Sequence, residues 1–312
     1  VSLSRYGLLL LSVLWLAGAG RAQEATPTAF PPAAYAEASV ADIDLLALPV
    51  LPELTDHARR IYERGQAAGQ NARTFAKVGD CMTDADYYLY PFGQAAYDLG
   101  DFADLEPLIA FYLEGNTRPE ADAAVNPFVT NSLAAESGYN TASILDPIWS
   151  DPTLCTASES PLACEYRLSR PAFAFIMVGT NDVQFFDAAS FDRYARQIVQ
   201  ESILSEVVPV LFTFPVRPEF PENTVLFNQI IVSIAREYDL PLINLYRALY
   251  DLPDQGVDRA EPTHVTLAAD GQAGLLTDAY LQTGATQRNL LTLQALAIFQ
   301  AALATPATTP GG

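Results

Sequence analysis

The stretch that decides the fold is AFAFIMVGTND, residues 172–182. Its first seven residues form an unbroken apolar run, the length and composition of a strand buried on both faces. The run ends at Gly179-Thr180-Asn181-Asp182, and helical spacing follows at Phe191, Tyr194, Ile198 and Val199. The alternation repeats downstream. VVPVLFTF (207–214) reads as a second buried strand, Phe227, Ile230, Ile231, Ile234 and Tyr238 mark a helix, and PLINLY (241–246) reads as a third strand. A last helix covers 289–302. Upstream, Leu54, Ala58, Ile61 and Tyr62 give one helical face over 53–65, Phe75 to Val78 is a short strand, and 128–133 is a candidate strand. Strand and helix in strict alternation are the signature of a parallel sheet covered by helices on both faces. In such sheets chemistry gathers beyond the carboxyl ends of the strands.

The ends of the chain differ from this middle. Arg5, the apolar run GLLLLSVLWLA (7–17) and the small residues Gly20 and Ala22 read as a secretory signal peptide, 1–22, cut before Gln23. The run is too short to span a bilayer. An Ala/Pro/Thr-rich linker follows over 23–42, the folded domain is expected over 43–303, and ATPATTPGG (304–312) reads as a loose tail. The formal charge is −20, and loss of Arg5 and Arg21 with the signal takes it to −22. Phosphate backbones repel such a chain, so nucleic acid is excluded as a partner. Lys77 is the one lysine against sixteen arginines, which reads as compositional bias.

Three cysteines leave one thiol over in an oxidising compartment. Cys155 and Cys164 flank the short segment TASESPLA (156–163), and a disulfide closing it is the expected pairing, although spacing alone does not fix it. Cys81 is then the free one. It stands in KVGDCMTDA (77–85), just past the first strand and at the start of a helix, where a nucleophile is presented.

The residues beyond the other strands fit acyl transfer. A nucleophile needs a base, and His264 in DRAEPTHVT (258–266) can serve near neutral pH. The base needs an orienting carboxylate, for which Glu261 and Asp258 both stand near. A tetrahedral intermediate needs donors, and the N–H groups of Cys81 and Gly138 and the amide of Asn181 are the candidate oxyanion hole. Asp80, Gly179 and Asp182 read as supports. The other histidine, His57, sits beside the apolar stripe of the first helix and reads as packing. Ser132 and Ser137 lack a Gly-x-Ser-x-Gly elbow. The aromatic run YYLYPF (87–92) either lines an acyl pocket or packs the core.

These pieces, in this order, resemble the SGNH/GDSL hydrolase family over roughly residues 72–303. Gly-Thr-Asn-Asp at 179–182 matches its third motif, Gly79-Asp80-Cys81 its first, and RNLLTLQAL (288–296) is similar to the tail of secreted bacterial members. The resemblance implies a three-layer α/β/α sandwich with a flavodoxin-like parallel sheet. It implies an esterase- or lipase-type hydrolase that needs no metal. The expected protein is a monomer without a cofactor that acts on a small-molecule or polysaccharide acyl ester. Two positions depart from the pattern. Cys81 replaces the serine, and Glu261 replaces the aspartate three residues before the histidine. Two functions follow: a hydrolase with a cysteine nucleophile, or a catalytically silent relative whose cleft binds an extracellular glycan or other ligand.

Overall fold

Four parallel strands form the centre of the computed structural model: β1 (Asn71–Gly79), β2 (Pro171–Met177), β3 (Val208–Phe212) and β4 (Leu242–Ile243). They lie side by side in that order. Residues 40–120 and 123–305 are described. The expected signal peptide, nearly all of the 23–42 linker and the tail beyond 305 lie outside them.

The helices, in chain order, are α1 (Asp56–Ala68), α2 (Cys81–Asp84), α3 (Tyr90–Gly93), α4 (Glu106–Leu113), α5 (Thr141–Leu145) and α6 (Pro161–Ser169). They continue with α7 (Asp182–Phe185), α8 (Ala188–Leu204), α9 (Pro221–Glu237), α10 (Leu245–Tyr250) and α11 (Gly284–Ala304). Side-chain oxygens start three of them: Thr55 caps α1, Ser160 caps α6 and Asp187 caps α8.

Strand register sorts the core into two faces. Phe75 pairs with Phe173, and Phe173 with Val208, so these three point the same way. On that face Phe173 stacks between Tyr62 of α1 and Phe299 of α11, at 5.6 and 5.2 Å between centroids. Phe75 meets Tyr112 of α4 edge-on at 5.4 Å. On the opposite face Ile176 and Leu211 pack with Ala195 and Val199 of α8 and with Ile231 and Ile234 of α9. The molecule is therefore a three-layer α/β/α sandwich. Every residue of β2 is buried, which is why its sequence shows no polar alternation. Burying one such Phe or Ile contributes about 1.5–3 kcal/mol.

Two expected strands differ. Residues 128–133 form no strand. The Asn126 side chain accepts from the N–H groups of Phe128 and Val129 and curls the chain into a turn. What remains beside β1 is one parallel bridge, Gly79 to Ala135, with Gly79 N–H donating to Ala134 at 3.0 Å. That bridge lies on the far side of β1 from β2, so the strand order is flavodoxin-like with its edge strand reduced to a single pair. Residues 241–246 shorten to the two-residue β4. The Asn244 side chain caps Arg247 N–H, and the chain turns into α10. The last helix also runs on to Ala304, past the expected end at 302. Among the described residues no helix is long and apolar enough to cross a membrane.

Candidate active site

β1 delivers Gly79-Asp80 to the carboxyl edge of the sheet, and the chain turns straight into α2. A Cβ on Gly79 would stand 2.4 Å from both the Met177 carbonyl oxygen and Thr83 Oγ1, so only glycine passes here. The Asp80 carboxylate caps the turn by accepting from Met82 N–H at 3.1 Å. Cys81 is thus the first helical residue. It is 9% exposed, and its thiol donates to the Thr263 carbonyl oxygen at 3.4 Å. Burial, and then the Asp80 charge beside it, push the Cys81 thiol up to about 12. Burial likewise pushes the Asp80 carboxyl up to about 6 against the opposing pull of Arg288, the Met82 N–H and the Thr180 hydroxyl.

Thr263 immediately precedes His264, so the contact that holds the thiol also brings the His264 loop to it. The loop is folded back on itself: Val257 and Val265 form an antiparallel bridge, and Asp258 N–H donates to the His264 carbonyl. Asp258 Oδ1 accepts from the Ala260 and Glu261 N–H groups, so this carboxylate shapes the turn. Glu261 reaches the ring instead, with Oε2 3.3 Å from His264 Nδ1. Thr263 Oγ1 lies 3.2 Å from the same nitrogen. Both partners are solvated, His264 at 33% and Glu261 at 71% side-chain exposure, so the pair orients the ring weakly.

The other two loops are tied to each other. Asp182 Oδ1 accepts from the N–H and hydroxyl of Thr141, and Oδ2 accepts from Gly179 N–H. Burial raises the Asp182 carboxyl, and these donors oppose it. Asn181 Nδ2 donates to the Tyr139 carbonyl at 2.7 Å, which fixes the amide plane and leaves its second N–H free to donate. Gly138 has φ +90° and nothing within 4 Å of where a Cβ would be, so backbone conformation and not space requires glycine. The Ser137 N–H beside the Asp84 carboxylate ties this loop to α2.

The remaining candidates have other duties. His57 Nδ1 contacts the Tyr238 carbonyl at 2.5 Å in the packing of α1. Ser132 Oγ accepts from Ala134 N–H and shapes the bridge to β1. The aromatic run packs the core: Tyr88, Leu89 and Phe92 are buried. Lys77, read from sequence as compositional, is buried in β1 with Nζ donating to the Phe128 carbonyl at 3.2 Å. Cys155 and Cys164 are joined by a disulfide. A cavity of about 1190 Å³ opens at the opposite end of the sheet, beside Gln70 and Arg170, away from Cys81. Two of its arginines are already paired, Arg118 with Glu165 and Arg167 with Glu159. Among the described residues no group of three or more His, Cys, Asp or Glu gathers to hold a metal.

Sequence reasoning missed Thr263, Thr141 and Arg288. An arginine inside the apolar run of the last helix was the available signal for Arg288, which is 1% exposed.

No protein-family model matches the chain, and no curated protein does. Solved structures similar to it include the psychrotrophic esterase EstA from Pseudoalteromonas sp., at 12% identity and TM-score 0.44, covering 73% of this chain and 99% of that one. The lipase/acylhydrolase from Enterococcus faecalis is similar at 20% identity and TM-score 0.43, covering 71% and 94%. A GDSL-like lipase from Bacteroides thetaiotaomicron is similar at 13% identity and TM-score 0.40, covering 78% and 98%.

Proposed function

We propose that the chain is an SGNH-type hydrolase that cleaves an ester or thioester with Cys81 as nucleophile. The observation that carries this reading is the 3.4 Å contact between Cys81 Sγ and the Thr263 carbonyl, one residue from His264. With Nδ1 facing Glu261 and Thr263, Nε2 is the ring nitrogen left for the nucleophile.

A thiol at about 12 carries almost no thiolate at neutral pH. The attack therefore runs as in a serine enzyme, with the proton leaving Sγ for His264 Nε2 as the S–C bond forms. The carbonyl electron pair moves onto oxygen, which takes hydrogen bonds from Cys81 N–H, Gly138 N–H and the second Asn181 N–H. The intermediate collapses, the C–O bond breaks, and the imidazolium returns the proton to the leaving alkoxide. Water, deprotonated by His264, then attacks the thioester, and the departing sulfur recovers its proton. Glu261 orients the ring.

The depth of Cys81 favours a small acyl group, such as acetyl on a sugar hydroxyl; that choice rests on analogy of fold. The Cys155–Cys164 disulfide supports work outside the cytosol, in keeping with the signal-peptide pattern at 1–22, and we take the protein to be a monomer. The test is hydrolysis of p-nitrophenyl acetate by reduced protein. Turnover that iodoacetamide abolishes is the expected result. A folded protein that turns over no ester or thioester, as wild type or as Cys81→Ser, overturns the reading and leaves the silent binding module.

A further inference from the structure

Cys81 and His264 lie on loops 183 positions apart in the chain, and both loops are fastened to the first turns of α11. Gly284 N–H donates to Thr266 Oγ1 at 2.9 Å and Ala285 N–H to the Thr266 carbonyl at 3.1 Å, two residues beyond His264. One turn later Arg288 donates from Nη1 to the Met82 carbonyl at 2.6 Å and from Nη2 to Thr83 Oγ1 at 2.9 Å. Those two residues directly follow Cys81. The next residue, Asn289, accepts from Leu89 N–H at 2.9 Å and donates to the Tyr87 carbonyl at 2.8 Å, which closes the loop after α2.

We propose that Arg288, backed by Asn289, is a positioning residue that sets Cys81 against His264 through α11. Four features support it, resting on the reading of Cys81 as nucleophile. The guanidinium is fully buried, a costly place for a cation unless its geometry is used. It lies 3.6 Å over the Tyr88 ring, which fixes its plane. Its two terminal nitrogens reach two different atoms of α2, a fork that a lysine cannot reproduce. And α2 has only four residues, too short to hold its own geometry. The hydrogen bonds of Arg288 go to Met82 and Thr83 and not to Cys81 or His264, so it acts by holding the turn from which the Cys81 thiol and N–H project.

The experiment compares wild type with Arg288→Met, Arg288→Lys and Thr83→Val. It uses p-nitrophenyl acetate kinetics, the rate of Cys81 alkylation by iodoacetamide read by mass spectrometry, and thermal unfolding. Loss of positioning lowers kcat by about tenfold to a hundredfold with KM little changed. In the same variants the freed thiol is alkylated several-fold faster. Arg288→Lys falls between wild type and Arg288→Met, and Thr83→Val shows the same opposed changes on a smaller scale. If Arg288→Met does not fold, Arg288→Lys and Thr83→Val decide. Folded variants with unchanged kcat and unchanged alkylation overturn the proposal. So does a kcat that falls only in step with the folded fraction. Should wild type lack esterase activity, the esterase reading fails on its own, and the alkylation rates still judge the role of Arg288.

Discussion

The sulfur of Cys81 is hydrogen-bonded to the carbonyl of Thr263, not to a cation, and the charge that acts on it is that of the Asp80 carboxylate. A cysteine at a helix start is ordinarily a thiol of lowered pKa. Here burial and Asp80 reverse that. Alkylation of Cys81 in the native protein should be slow at pH 7 and climb about tenfold per pH unit toward pH 10, since the reactive thiolate is the minor form until about 12. Esterase activity should not share that climb. It should stay level over that range, because in the proposed mechanism a neutral base takes the proton and no thiolate has to form first. A thiolate plateau already present at pH 7 would refute the base-assisted mechanism.

Asp80 holds a cost that a neutral residue removes. Its carboxyl is raised to about 6, first by burial. A raised acid gives stability that is full below its unfolded value near 4 and is lost as pH rises through about 6. Asp80→Asn keeps an oxygen to cap Met82 N–H and does not titrate. At pH 7 the variant should be more stable than wild type by up to roughly 3 kcal/mol, with the gap closing below pH 4. Removing the charge should also lower the Cys81 thiol and speed alkylation at pH 8. Urea midpoints across pH 4–7 and the alkylation rate check both effects. A gap independent of pH would show that Asp80 is not the titrating group.

In the proposed mechanism the oxyanion donors should matter more than the orienting acid. Asn181→Ala removes an amide whose plane is already fixed by Tyr139, and kcat should fall by about 10²–10³. Gly138→Ala forces a side chain onto φ +90°, so kcat should fall with it although no atom crowds the new methyl group. Glu261→Gln should cost less than about tenfold, because a carboxylate this solvated is screened. Steady-state kinetics on p-nitrophenyl acetate give all three. A larger loss for Glu261→Gln than for Asn181→Ala would invert the assignment.

What was legible in the sequence is what local chemistry dictates. AFAFIMV reads as a strand because both its faces are buried, and Gly179-Thr180-Asn181-Asp182 reads as the turn beyond it because glycine and the Asn-Asp pair end the strand. The Cys81 turn was legible for the same reason, a strand running into Gly-Asp and then a helix. The failures are tertiary. Residues 128–133 have the composition of a strand, but Asn126 curls them and Lys77 binds the Phe128 carbonyl from inside β1. PLINLY has strand propensity, yet Asn244 finds a helix to cap. An arginine in an apolar helix marks position 288, but what it holds is not legible, because its partners, Met82 and Thr83, lie more than two hundred positions away.

Lys77 gives the sharpest test of the interior. The one lysine of the chain is 3% exposed, over the Tyr90 ring, and holds the Phe128 carbonyl. Burial lowers it to about 7, with Arg288 adding to the effect and Glu165 and Asp84 opposing it. Between pH 7 and about 10 the unfolded chain therefore binds a proton that the native chain does not, and native stability rises with pH by up to about 1.4 kcal/mol per unit. Lys77→Met fills similar volume and carries no proton, and it leaves the Phe128 carbonyl unpaired at a cost of about 1 kcal/mol at every pH. The variant should thus be more stable than wild type at pH 7, with the advantage shrinking steadily and reversing near pH 10. Urea midpoints of the two proteins at pH 7, 8.5 and 10 measure this directly. Parallel curves would mean that Lys77 stays charged inside the fold, with Glu165 and Asp84 outweighing burial.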